Sequence, residues 1–135
     1  MSSLPTKARI FEVGARDGLQ NEKVEIPTDI KLELIDRLVD AGVTALEAGA
    51  FVSPKWVPQM ADTKQIMEKL NRNDNVSYAV LTPNMKGFDG AVAGNADEIL
   101  LFTAASEQFN QKNINCSIDE SFERFSPVVE AAKAA

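Results

Sequence analysis

Along the whole chain the spacing of apolar residues alternates between strand-like and helical. Ile10, Phe11 and Val13 suit a buried strand. From Thr28 to Asp40 the apolar residues Ile30, Leu34, Ile35, Leu38 and Val39 recur at helical spacing. Thr28 reads as the N-cap of that helix, Asp29 complements its dipole, and Gly42 stops it. Val43 to Val52 reads as the next strand, and two prolines stiffen the loop Ser53-Pro54-Lys55-Trp56-Val57-Pro58. A second helix is predicted over Ala61–Leu70, with Ile66, Met67 and Leu70 on one face, and a third strand over Val76–Leu81. A weaker helix containing Gly87, Gly90 and Gly94 runs to about Ala96. The fourth strand, Glu98 to Thr103, is apolar without a break from Ile99 to Phe102, which predicts burial on both faces, as in parallel sheets. Ala104 to Ser117 is a polar loop or short helix. Ser117 or Asp119 then caps a last helix carrying Phe122, Phe125, Val128 and Val129.

The order is therefore β-α repeated four times, with no hairpin signal, so the strands are parallel and the fold class is α/β. The last residues, Glu130 to Ala135, lie inside a helical pattern with no Gly, Asn or Pro to end it. A closed eight-stranded barrel needs on the order of 250 residues. Residues 1–135 therefore read as the N-terminal part of a single TIM-barrel domain, the first four units of a (β/α)8 barrel, or half a barrel. The alternative is a self-contained, four-stranded open sheet.

Composition narrows the function. With 44% hydrophobic and 25% charged residues the chain is an ordinary folded protein. Its net charge of −6 argues against a nucleic-acid partner. No apolar run is long enough to span a membrane. Met1 to Lys7 shows neither a signal core nor a transit peptide, and the one cysteine, Cys116, excludes an intramolecular disulfide, so a cytoplasmic, bacterial-type protein is expected. The chain has no histidine, which rules out a Ser-His-Asp triad, a Cys-His pair or a His-based zinc site within it.

Two places hold charge where a strand has no use for it. Arg16 and Asp17 follow the first strand side by side, with Gly18 next. They read either as a surface ion pair at a strand end or as an active-site rim. Glu47 lies among Val43, Ala45, Leu46, Ala48 and Ala50. A charge in a buried strand is costly unless paired. Alternation places Glu47, Gly49 and Phe51 on one face and Leu46, Ala48 and Ala50 on the other, so Glu47 points inward toward Arg16. That pair either orients the strands or holds Arg16 toward a substrate carboxylate or developing oxyanion. Asp17 is then free for a divalent cation, whose other ligands must come from elsewhere. Gln20, Asn21, Lys23 and Lys55 could reach substrate or be solvated loop residues. Trp56 is expected to pack beneath its loop. Cys116 has no base in sight and reads as a small buried thiol.

The segment Glu12-Val13-Gly14-Ala15-Arg16-Asp17-Gly18-Leu19-Gln20-Asn21-Glu22 resembles the first-strand motif of the 3-hydroxy-3-methylglutaryl-CoA lyase family. So do Phe51-Val52-Ser53-Pro54-Lys55-Trp56-Val57-Pro58-Gln59-Met60-Ala61-Asp62, Phe102 to Glu107 and Lys112 to Ile118. Arg-Asp-Gly alone would suggest only the wider metal-dependent Claisen-type group. The resemblance implies a barrel enzyme of leucine catabolism and ketone-body formation. Such an enzyme cleaves hydroxymethylglutaryl-CoA to acetyl-CoA and acetoacetate with Mg²⁺ or Mn²⁺ and no nucleotide cofactor. It further implies that Asp17 is a metal ligand, that Arg16 stabilises the enolate oxygen and that Glu47 orients Arg16; Gln20 and Lys23, from their place on the same loop, are with Arg16 the candidate contacts to the acyl-CoA.

The family's His-x-His ligands, its later asparagine ligand and its catalytic cysteine loop have no counterpart here, and Ala50 stands where relatives carry Ser or Thr. The isolated 135 residues are therefore expected to be inactive. The alternatives are a non-catalytic split half-barrel that needs a partner, and a related Claisen-type lyase or synthase. Open sheet edges predict a homo-oligomer or edge-to-edge pairing.

Overall fold

The computed structural model describes residues 4–135, so the part of the leader-free reading that falls on Met1–Ser3 lies outside it. Helix α1 spans Thr28–Asp40, strand β1 Ala45–Ala50, α2 Thr63–Lys69, β2 Ser77–Leu81, α3 Met85–Ala93, β3 Glu98–Leu100, α4 Glu107–Ile114 and α5 Ile118–Ala134. The three strands form one parallel sheet in the order β1-β2-β3. Every residue of β1 is buried. Leu46, Ala48, Tyr78 and Val80 pack with Ile35 of α1, Ile66 and Met67 of α2 and Ala91 of α3. This is a half-barrel sheet with its helices laid against one side.

The predicted first strand contracts to a single residue. Glu12 bridges to Leu46, donating its N–H to the Ala45 carbonyl at 2.9 Å and accepting the Glu47 N–H at 2.9 Å. Pairing then stops because the next amide on that side, Gly14 N–H, donates to Glu12 Oε1 at 2.6 Å, and the chain turns away with the Val13 carbonyl accepting from the amides of Arg16, Asp17 and Gly18. Ile10, with no ladder partner among the described residues, is 74% exposed. The fourth predicted strand is also shorter. Its ladder ends where Thr82 N–H donates to the Leu100 carbonyl at 2.9 Å. Ile99 to Leu101 are half-buried and Phe102 is exposed, so the expected burial on both faces is not met: β3 pairs on one side only among the described residues.

Strand β1 corrects the expected alternation. Glu47 pairs with Ala79 and Gly49 with Val80, so Ala48 is an extra residue, a β-bulge. Beyond it the facing reverses. A Cβ on Gly49 would lie 2.6 Å from Thr63 Oγ1 in α2, and the Phe51 ring fills the space beside Gly90 in α3. Gly49 and Phe51 therefore face the helices, and Glu47 does not share their side.

Helix ends follow local chemistry. Gly42, at φ +96, closes α1 in a Schellman motif, with Gly42 N–H donating to Val39 and Val43 N–H to Leu38. Asn95, at φ 53, closes α3 the same way, with bonds to Val92 and Ala91. Ser117 and Glu120 form a capping box at α5, so Ser117, not Asp119, is the cap. Thr28 is not an N-cap. Pro27 holds that position, and the Thr28 hydroxyl donates instead to Asp62 at 2.7 Å.

Candidate active-site corner

The chain leaves the Glu12 bridge and winds at once into a π-helical turn, Gly14–Gly18. One carbonyl organises it: Val13 accepts from Arg16 N–H at 3.1 Å, Asp17 N–H at 2.7 Å and Gly18 N–H at 3.4 Å. Such wide turns occur often at functional sites, because they aim side chains that an α-turn would not. Ala15, buried against the core, seats the turn. Its neighbours Arg16 and Asp17 are then presented at the end of the strand segment.

Arg16 is brought to Glu47. Arg16 Nε lies 2.8 Å from Glu47 Oε1, and Arg16 Nη1 donates to Asp17 Oδ1 at 2.9 Å. The expected trio is thus one contiguous chain of charges, Asp17–Arg16–Glu47. Its members differ sharply in exposure, at 57%, 15% and 1% of the side chain respectively. The Arg16–Glu47 contact falls outside hydrogen-bond geometry. Arg16 Nε and both Glu47 oxygens are buried with no hydrogen-bond partner among the described residues. Burial pushes the Glu47 carboxyl above its usual range, opposed by the Arg16 guanidinium, and the Asp17 charge adds to the rise.

The donor set fits a hard divalent cation in kind, since carboxylate oxygens are the ligands such ions prefer, and Asp17 presents one to solvent. It does not fit in number. No group of three His, Cys, Asp or Glu side chains among the described residues is placed to hold a metal ion. Asp17 can be one ligand of a site that other residues complete.

The other predicted residues are dispersed. Gln20 is half-buried and Lys23 exposed, and neither side chain makes a hydrogen bond or ion pair among the described residues. Asn21 binds back to the Asp17 carbonyl through Nδ2 at 2.7 Å, so it stabilises the turn. Lys55 is exposed. Trp56 does not pack beneath its loop. It is 87% exposed, because hydrogen bonds from Trp56 and Val57 N–H to the Ser53 carbonyl fold the loop with the indole outward. Cys116 is buried, as expected of an inert thiol. At Ala50 both backbone polar groups are engaged by Thr63 Oγ1, each at 3.0 Å. A surface cleft of about 510 Å³ between Asp36, Asp40 and the Asn71–Asn75 turn lies at the N-terminal ends of the strands, away from Arg16.

Sequence reasoning missed a set of polar residues on the helix side of the sheet: the buried Lys31, Gln59 and Thr63 and the half-buried Asp62. For Lys31 a signal existed. It sits four residues before Ile35, on the apolar stripe of α1, where a lysine has to find a partner.

Comparison with known proteins gives this geometry a family. The HMGL-like family model matches residues 7–135. The chain belongs to the HMGL-like family. It is 56% identical over 135 residues to the mitochondrial hydroxymethylglutaryl-CoA lyase of Rattus norvegicus, covering all of this chain and 42% of that one. It is 54% identical over 133 residues to the cytoplasmic 3-hydroxy-3-methylglutaryl-CoA lyase of Homo sapiens, covering 98% and 36%. The crystal structure of hydroxymethylglutaryl-CoA lyase from Pseudomonas aeruginosa superposes with a TM-score of 0.92 at 52% identity, covering 97% of this chain and 44% of that one. The chain thus spans less than half the length of these relatives, and it matches both mitochondrial and cytoplasmic members of the family. No helix among the described residues is long and apolar enough to cross a membrane.

Proposed function

We propose that residues 1–135 are the N-terminal part of a hydroxymethylglutaryl-CoA lyase barrel, and that the Asp17–Arg16–Glu47 corner is its share of the active site. The observation that carries this reading is the Arg16–Glu47 contact of 2.8 Å, at the strand ends where barrels of this kind do their chemistry. The reaction is a retro-Claisen cleavage. The tertiary hydroxyl of the substrate loses its proton, its oxygen forms the acetoacetate ketone, and the adjacent carbon–carbon bond breaks. That electron pair passes to the thioester as an enolate, which takes up a proton to become acetyl-CoA.

Arg16 is the residue of this chain suited to the developing enolate oxygen. Its charge is fixed and Nη1 stands beside Asp17, while Glu47 holds the Nε side of the guanidinium from within the sheet. Glu47 is a positioning residue: it is 1% exposed and acts through Arg16. Asp17 would hold Mg²⁺ or Mn²⁺, which when bound polarises substrate oxygens. Gln20 and Lys23 lie on the loop that follows and are the candidate contacts to the acyl-CoA. The buried, free Cys116 suits a reducing compartment such as the cytoplasm. Through the open side of β3 the isolated chain is expected to self-associate, and a monodisperse monomer in light scattering would contradict that.

The test uses a chimera in which these 135 residues replace the corresponding part of the Pseudomonas aeruginosa lyase. Acetoacetate release from hydroxymethylglutaryl-CoA with Mg²⁺ is expected from the chimera and not from the 135 residues alone. A folded chimera that leaves the thioester intact overturns the reading, and a different product reassigns the substrate within the Claisen-type group.

A further inference from the structure

The connector between the π-helical turn and α1 has little backbone structure of its own. Glu22 N–H reaches the Leu19 carbonyl, and Lys31 N–H reaches Pro27. Between them, residues 23–26 make no backbone–backbone hydrogen bond among the described residues. A segment of this kind, with Val24 75% exposed, would ordinarily sample many conformations. Here it is gripped by one side chain. Gln59 Oε1 accepts from Ile26 N–H at 2.9 Å, and Gln59 Nε2 donates to the Val24 carbonyl at 2.9 Å and, more weakly, to the Glu22 carbonyl at 3.4 Å. The amide uses its acceptor toward an N–H and its donor toward carbonyls, so only one orientation of the side chain satisfies the connector.

Gln59 is itself held. It lies in the short 3₁₀ turn Pro58–Met60, 7% exposed. Its own carbonyl accepts a hydrogen bond from Lys31 Nζ. Lys31, 2% exposed, also pairs with Asp62 Oδ1 at 2.8 Å, while Asp62 Oδ2 accepts from the Thr28 hydroxyl at 2.7 Å. A buried ammonium is thus spent on joining the loop after β1 to the start of α1.

We propose that Gln59, fixed by Lys31 and Asp62, is a positioning residue. It locks the loop after β1 to the Glu22–Ile26 connector and so sets where Lys23 stands at the rim of the active site. The consequence for acyl-CoA binding rests on the function proposed above, whereas the clamp itself does not.

The experiment compares the 135-residue chain with Gln59→Met, which keeps the volume and removes both polar atoms, and Gln59→Glu, which keeps the acceptor for Ile26. Amide hydrogen exchange is read at Ile26 and at Ala79 and Val80 of β2, alongside trypsin cleavage after Lys23. Gln59→Met is expected to raise exchange at Ile26 about tenfold, the scale of one hydrogen bond lost, with a matching rise in cleavage after Lys23. Exchange at Ala79 and Val80 should stay within about twofold, and Gln59→Glu, which keeps the acceptor for Ile26 but sets an oxygen against the Val24 carbonyl, should restore only part of the Ile26 protection. Equal acceleration at Ile26 and in β2 would make Gln59 a general stability residue and overturn the proposal, as would no change at Ile26. In the chimera, Gln59→Met should raise KM for hydroxymethylglutaryl-CoA several-fold with kcat nearly unchanged. A chimera inactive with native Gln59 counts against the proposed function, while the exchange result still decides the clamp.

Discussion

Two clusters of buried charge, one joining α1 to the loop before α2 and the other joining the π-helical turn to β1, are finished to different degrees. In the Lys31–Asp62 cluster the ammonium has a carboxylate and a carbonyl, and the carboxylate has a hydroxyl as well. In the Arg16–Glu47 pair, three buried polar atoms have no hydrogen-bond partner among the described residues. A buried polar group left unsatisfied costs about 1–3 kcal/mol, and more when charged. The contrast separates two uses of buried charge. The satisfied cluster holds loops together. On the proposed function the Arg16–Glu47 pair, joined by charge across 2.8 Å, is the one that serves substrate, and it carries its unpartnered Glu47 oxygen at some expense in stability.

The sharpest way to break this comparison is to neutralise Arg16. In the chimera, Arg16→Gln should lower kcat about 10²–10³-fold, the range for removing one oxyanion donor, and should also lower folding stability, because it leaves the buried Glu47 without its cation. Loss of stability with normal turnover would reverse the roles assigned to the two clusters. The converse change is Lys31→Met, which leaves Asp62 without its cation. Breaking a buried pair typically costs about 3–5 kcal/mol, and because the Asp62 side chain is 18% exposed the lower end is expected, read as a fall in the urea midpoint.

Glu47→Gln is a gentler probe. The folded carboxyl binds its proton more tightly than the unfolded one, because burial has raised its pKa. Native stability should therefore fall as pH rises from about 4.5 toward the raised value, and level off beyond it. In metal-free urea titrations the Gln variant should lack that slope and be no less stable than the parent at neutral pH, while turnover in the chimera drops.

The smallest effect is expected at Glu98, whose carboxyl is held low first by the Ser77 hydroxyl and then by Arg9. Its sign is opposite. The contribution is present above the unfolded pKa and disappears as pH falls through the lowered one, in the range below about 4.5. With the Glu98 side chain 37% exposed, Glu98→Gln should cost a few tenths of a kcal/mol at neutral pH, and less in acid.

How much of this was readable in the sequence depends on where each signal resides. Helix α1 has the predicted bounds because its stripe of Ile, Leu and Val is long and Gly42 marks its end. Arg16, Asp17 and Glu47 stood out because charge beside or within an apolar strand is conspicuous, and the structure joins all three. The strand limits were less legible. Pairing at Ile10 or Phe102 depends on a neighbouring strand, not on the residue's own preference. The bulge at Ala48 and the π-turn at Gly14–Gly18 are decided by which amides a carbonyl collects, a competition that composition does not show. The clamp was missed because glutamine and lysine are usually surface residues, and only the location of Lys31 on the apolar stripe of α1 hinted otherwise.

The bulge in β1 acts as a half-period phase slip in an otherwise two-beat strand. Before Ala48 the strand turns one set of side chains away from the helix layer, and after it the opposite set. Glu47 is aimed toward Arg16 while Gly49, two positions on, nestles against Thr63. Deleting Ala48 would bring the two halves back into step. Glu47 would still lie opposite Ala79 and Gly49 opposite Val80, so both would keep their sides, and what Ala48 supplies is the added local twist of a bulge at the end of the strand that carries the corner.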